Sequence, residues 1–188
     1  ILNFMPIDRV SELLSRMARL IAADGYERGL KPVQWQALRF LASANRFSRT
    51  PGGMTAWLGQ TKGSVSQTIA VLVGKGLIDR SEDQKDRRVV RLNLTVAGQA
   101  LVCAPPIPSA EDMLEVLSDE DRLALGMTLE MMLRGHLAKR GDRPFGLCAN
   151  CMHFGHKQGD GTLHRCRLLM VDLSDNDAAR ICIEQKAA

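Results

Sequence analysis

Aromatic residues are scarce in this chain: two Trp, one Tyr and five Phe among 188 residues, a 4% share. A β-sandwich core leans on aromatic and β-branched side chains, so the scarcity points to aliphatic helices packed on one another. Long apolar runs are also missing. No stretch approaches the ~20 residues needed to cross a bilayer, and residues 1–19 carry charges at helical spacing where a signal peptide would be unbroken and apolar. A cytoplasmic protein with no membrane partner is expected. Internal repeats and low-complexity segments are absent too, which excludes a solenoid or a disordered tail. What is present is 45% hydrophobic residues, enough for a packed core, in a length that suits one ordinary domain plus an appendage.

Charge is unevenly placed. Residues 49–91 hold eight Lys/Arg against four Asp/Glu while the rest carries seventeen of each, so the whole excess of +4 sits in one segment. That is the footprint of a polyanion-binding face, or of a merely solvated surface.

Hydrophobic spacing predicts the elements. Ile7, Val10, Leu13, Leu14, Met17, Leu20 and Ile21 mark one face of a helix ending near Gly25. Pro32 opens a second helix, running through Ala37, Leu38 and Leu41 to about Ala44. A short third helix passes through Met54, Trp57 and Leu58. A fourth follows Thr61, with Val65, Ile69 and Leu72 on its buried face, and Gly76 stops it. Leu77–Arg80 and Val89–Leu94 then alternate as two strands around a charged turn. Thr95 caps another helix, Pro105–Pro108 interrupts it, and Ser109 and Ser118 start the last two, the final one ending near Gly141. The expected class is mainly α (α+β): a winged helix-turn-helix at 30–101, dimerisation helices at 1–29 and 102–142, and a small metal-stapled tail at 143–188.

Thr61, Lys62, Gly63, Ser64, Ser66, Gln67 and Thr68 supply the short polar side chains and close backbone that reading base edges requires, and Gln67 suits adenine. Lys85, Arg87 and Arg88 at the hairpin tip are cations for phosphates or a narrow minor groove. Arg46 and Arg49, ahead of the third helix, are candidate phosphate contacts or plain exposed charge.

The run from Leu30 to Leu101 resembles the MarR family of bacterial regulators. The likeness rests on Leu30-Lys-Pro-Val-Gln34-Trp-Gln-Ala-Leu38, on Thr61-Lys-Gly-Ser-Val-Ser66, and on Asp83-Gln-Lys-Asp86-Arg-Arg88, where Lys85 stands in place of the family's first arginine and loses its planar fork. The resemblance implies a homodimer built from the first helix and the helices after Ser109. Two recognition helices would then enter successive major grooves of a double-stranded, palindromic operator, usually to repress.

Five cysteines, four of them after residue 147, do not make a secreted disulfide framework. Cys148 and Cys151 form a CxxC pair, and Cys166 and Cys182 complete a four-thiolate set in a tail too short for a hydrophobic core of its own. Two metals remain open. One CxxC with two solitary cysteines leans towards an iron–sulfur cluster, while zinc would more usually take two paired knuckles. His153, His156 and His164 are expected around the ligands rather than among them, and Cys103 is expected in the core. Trp57 and the nearby apolar faces are a candidate small-molecule effector site, or core. No enzyme is expected, because a thioredoxin-like CxxC needs a βαβ context that is missing. An interaction module without DNA binding is the third reading.

Overall fold

The structure is a computed structural model that describes residues 5–23, 29–84, 86–104, 110–142, 145–157 and 163–186. Gly25, Lys85, Pro105–Pro108, Ser109 and Pro144 lie outside these residues.

The helices begin where side chains satisfy their first N–H groups. Helix α2 (Pro32–Ser43) has proline in its first turn, and Gln34 Oε1 accepts from Lys31 N at 2.9 Å. Helix α3 (Pro51–Leu58) is capped by Thr50, whose Oγ1 accepts from Gly53 N at 3.0 Å. Gly59 then turns the chain at φ 60°, a left-handed angle suited to glycine. Helix α4 (Lys62–Gly74) starts on Thr61, whose Oγ1 accepts from Ser64 N at 3.2 Å. Strands β1 (Ile78–Glu82) and β2 (Val90–Leu94) pair antiparallel from Ile78↔Leu94 to Glu82↔Val90. Helix α5 (Val96–Cys103) is capped by Thr95, which also donates to Gly76 O at 2.6 Å.

One core joins these elements. Leu38, Phe40 and Leu41 from α2 meet Met54 from α3, Val65, Ile69 and Leu72 from α4, and Ile78 and Leu92 from the hairpin. Each such side chain contributes about 1.5–3 kcal/mol on full burial. The order helix, helix, helix, two-stranded wing agrees with the expected winged helix-turn-helix.

Three further helices flank it: α1 (Ile7–Ala23), α6 (Ala110–Glu115) and α7 (Asp119–Arg140). Acidic residues open α7, Lys139 and Arg140 close it, and Gly141 ends it. The large apolar residues of α1 from Ile7 to Ile21 are exposed, Ile7 at 83% and Leu20 at 47%, and no described residue of α7 is buried. Both helices therefore present apolar faces to solvent in the isolated chain.

The tail folds as a small lobe. Strand β3 (Gly146–Leu147) pairs with β7 (Ile181–Cys182), and β4 (Phe154–Gly155), β5 (His164–Cys166) and β6 (Val171–Leu173) make an antiparallel meander, followed by the short helix α8 (Asp175–Ala178). Contrary to the expectation of a tail without a core, Cys148, Phe154, Leu173, Ala178 and Cys182 are buried together, with Phe47 of the winged helix packed against them. The lobe borrows apolar surface from its neighbour. It is also stitched to the turn between α2 and α3: Asn45 N donates to Ile181 O at 2.8 Å and Ile183 N to Ser48 Oγ at 3.1 Å.

Close approach at that seam requires glycine. A Cβ on Gly53 would stand 2.1 Å from Ser48 O and 3.2 Å from Ile183 Cδ1. Gly53→Ala is expected to destabilise the protein by about 1–3 kcal/mol, as overpacking does, in a denaturant titration followed by far-UV circular dichroism. Alanine at Gly63, which has only Thr61 Oγ1 within contact range at 3.9 Å, serves as the tolerated control.

Candidate nucleic-acid interface and cysteine site

Helix α4 divides its residues by its 3.6-residue repeat. Val65, Ile69 and Leu72 are buried, while Thr61, Lys62, Gly63, Ser64, Ser66 and Gln67 are exposed. Thr68 needs correction. It is only 7% exposed and its Oγ1 donates to Ser64 O at 3.1 Å, so it belongs to the packed face rather than to the polar one.

The wing is organised by its two aspartates. Asp83 Oδ1 accepts from Asp86 N at 3.2 Å, and Asp86 accepts from both Arg88 N and Arg88 Nε, at 3.1 and 3.0 Å. These bonds hold the Asp86 carboxyl below its usual range and raise the Arg88 guanidinium further. Arg87 and Arg88 are exposed; Lys85 falls outside the described residues. At the base of the wing Arg91 reaches Asp83 Oδ2 at 2.7 Å, and both side chains are only about a fifth exposed.

Arg46 and Arg49, expected at phosphates, are engaged within the chain. Arg46 Nη2 donates to Asp172 O at 2.6 Å, and Arg46 Nη1 lies 3.4 Å from Asp177 Oδ2. Arg49 Nε donates to Ala44 O at 3.0 Å, and burial followed by the nearby Arg180 charge lowers its pKa.

In the lobe, Cys148, Cys151, Cys166 and Cys182 line one narrow cavity, together with His153, Phe154 and three leucines. Among the described residues no group of three or more His, Cys, Asp or Glu side chains is assembled as a single-ion site. Backbone amides point at the sulfurs: Leu169 N donates to Cys166 Sγ at 3.4 Å and Lys186 N to Cys151 Sγ at 3.5 Å. Cys182 is held down to about 6 by a bond from Cys148, against the effect of its burial, with help from the Glu184 backbone and the side chains of Asn45 and Ser48. Cys148, the other member of that pair, is pushed up by the same bond and by burial.

His153 Nε2 is buried at this cavity and has no hydrogen-bond partner among the described residues. His164, by contrast, is committed outside it: Nδ1 accepts from Lys157 N at 3.2 Å, leaving Nε2 to donate to Asp175 at 2.9 Å. His156 sits edge-on to the Phe154 ring. Cys103, expected in the core, is exposed at the end of α5 and accepts from Gln99 Nε2 at 3.2 Å. A second cavity, of about 610 Å3, opens between α3 and the end of α7, lined by Trp57, Leu133, His136, Arg140 and Phe145 among others.

Asn45, Phe47, Ser48, Arg91 and Asp177 escaped sequence reasoning. Each acts across a large sequence separation, so no local spacing marks them. The thiol chemistry is directly measurable: in metal-free, reduced protein the ultraviolet thiolate absorbance is expected to titrate with one midpoint near 6. Cys182→Ser should remove that step, and a first midpoint in the ordinary thiol range would contradict the assignment.

No curated protein matches the chain. The MarR family model matches residues 28–89, from the start of α2 to the wing. Among solved structures, a MarR transcriptional regulator from Methanosarcina mazei is 23% identical, covering 70% of this chain and 98% of its own, with a TM-score of 0.54. The MepR–DNA complex of S. aureus is 23% identical over 70% of this chain and 99% of its own, with a TM-score of 0.53. A mutant MarR from E. coli is 20% identical over 70% and 98%, at 0.51. The chain therefore has the winged helix-turn-helix fold of these MarR structures, and its residues 28–89 carry that family's sequence pattern.

Proposed function

We propose that this protein is a homodimeric, sequence-specific DNA-binding repressor whose C-terminal lobe holds an iron–sulfur cluster and senses redox state or iron through it. The observation that carries the DNA-binding reading is the polar, exposed face of α4, Thr61 to Gln67, combined with an exposed wing bearing Arg87 and Arg88. Backbone and short side chains there can approach base edges, with Gln67 suited to adenine and the wing cations to phosphate. Arg49, whose Nη groups are left by the Nε bond to Ala44, and Lys85 would complete the contact set by binding phosphate. The solved S. aureus relative bound to DNA supports this use of the fold. Exposed apolar faces on α1 and α7 support a two-fold dimer, which would match a palindromic operator.

The donor set fits a cluster. Four thiols line a shared cavity, two of them accept backbone N–H groups, and the buried His153 Nε2 has no partner among the described residues. Cys148, Cys151, Cys166 and Cys182 would be the ligands. Zinc draws four sulfurs onto one ion at about 2.3 Å each, whereas a cluster gives each thiolate its own iron and keeps the sulfurs apart. One CxxC pair completed by two solitary cysteines favours the latter. A bound cluster supplies a group whose presence and oxidation state respond to oxidant and iron.

A structural zinc site is the alternative, with regulation left to a small molecule. The cavity at Trp57, His136, Arg140 and Phe145 favours that second input, since its volume of about 610 Å3 suits a small organic ligand.

Protein purified without oxygen should be coloured and contain iron and sulfide, with loss of both in Cys148→Ser; colourless protein with stoichiometric zinc would replace the cluster by the clip. On operator DNA, binding should saturate at two chains per site. Gln67→Ala should cost about 1–3 kcal/mol and relax preference at one base pair, whereas Arg87→Ala should weaken all sequences alike and reduce the salt slope by about 1. Affinity independent of salt and sequence would reduce the protein to an interaction module.

A further inference from the structure

The wing and the cysteine lobe grip the same two residues. Towards the lobe go side chains: Arg46 bonds Asp172 O at 2.6 Å and faces the buried Asp177 carboxylate at 3.4 Å, while the Phe47 ring packs against the buried cysteines. Towards the wing go carbonyls. Arg91 Nη1 donates to Phe47 O at 2.6 Å and to Arg46 O at 3.3 Å. The same guanidinium holds Asp83, by Nε at 2.8 Å, and Asp83 in turn receives Asp86 N at the mouth of the loop that carries Arg87 and Arg88. Arg91 is thus a shielded fork with one prong in the turn and the other in the wing.

We infer that Arg46 and Phe47 are positioning residues for the wing, so that the state of the cysteine lobe reaches DNA through the pose of Arg87 and Arg88 rather than through helix α4. A lobe that loosens around its thiols releases the Phe47 ring and the Arg46 clamp. The two carbonyls then drift from Arg91, Asp83 loses a fixed partner, and the wing frays. The inference rests on the proposed phosphate role of the wing, and it holds for whatever the four cysteines bind.

The test uses the full-length protein and compares variants in a shared metal state. Hydrogen exchange of the amides at 83–90 is measured for wild type, Arg46→Gln, Arg91→Gln and the double variant, with Lys157→Gln, a lobe residue paired to Asp175, as control. Arg46→Gln should accelerate wing exchange several-fold while leaving α4 and the metal content at wild-type values. Arg91→Gln should do the same and the double variant should add nothing further, because both break one chain of bonds. Operator affinity of Arg46→Gln should fall with a salt slope smaller by about 1 and with base preference retained. Wild-type wing exchange in Arg46→Gln, or equal acceleration in α4, overturns the inference. Absence of iron and zinc from the purified protein would sink the metal reading alone, since the exchange comparison does not depend on it.

Discussion

The seven-residue turn between α2 and α3 is the constraint on which the remaining architecture depends. Two of its polar side chains are buried, and its backbone is tied down: Asn45 Oδ1 accepts from Ser48 N at 2.9 Å, Ser48 O accepts from Thr50 N at 2.7 Å, and Arg49 O accepts from Leu92 N at 2.8 Å. Asn45 and Ser48 are each 1% exposed. A buried polar group left unmatched costs about 1–3 kcal/mol, so the turn has little freedom to adopt a second shape. Because α3 begins on Thr50 and β2 hangs from Arg49 O, fixing the turn fixes the first helix of the helix-turn-helix and the inner strand of the wing together. The lobe, bonded to Asn45 and Ser48, completes the enclosure.

Electrostatics in the wing serve geometry before they serve charge. Asp86 partly offsets Arg88, which lowers the local positive potential yet holds the guanidinium in one direction. An exposed pair of this kind adds little stability. Its value lies in presentation, since a fork already oriented loses less rotamer freedom when it meets a phosphate. The Arg91–Asp83 pair is different in kind: with both partners mostly shielded, it belongs to the scaffold.

The winged helix was legible because its elements are long enough for periodicity to speak. The spacing of Val65, Ile69 and Leu72 marked α4, and Thr50, Thr61, Thr95 and Ser118 mark helix starts through their side-chain oxygens. Thr68 was misplaced for a reason the same arithmetic contains: three residues after Val65 and four before Leu72, it lies on their stripe. Cys103 was misread because residue type outweighed position, in the last turn of a short helix next to solvent. The lobe's architecture was illegible. Strands of two or three residues have no period, and the pairing of Arg46 with Asp177 or of Phe47 with the lobe's buried core is visible only once the chain has folded back. The four thiols were found by composition; the Asn45 and Ser48 side chains that bond Cys182 had no local signal.

The pairing of β3 with β7 closes the start of the lobe against a strand near its far end, Gly146 opposite Cys182, and makes there a single doorway. A segment closed at such a doorway can open there as a unit, and its bonds to the turn between α2 and α3 carry that opening to the winged helix. What holds that doorway shut is a pair of two-residue strands and one of the thiol-bearing residues itself. The chemistry at Cys182 and the mechanical latch of the lobe are thus the same few atoms, and a change in one is a change in the other.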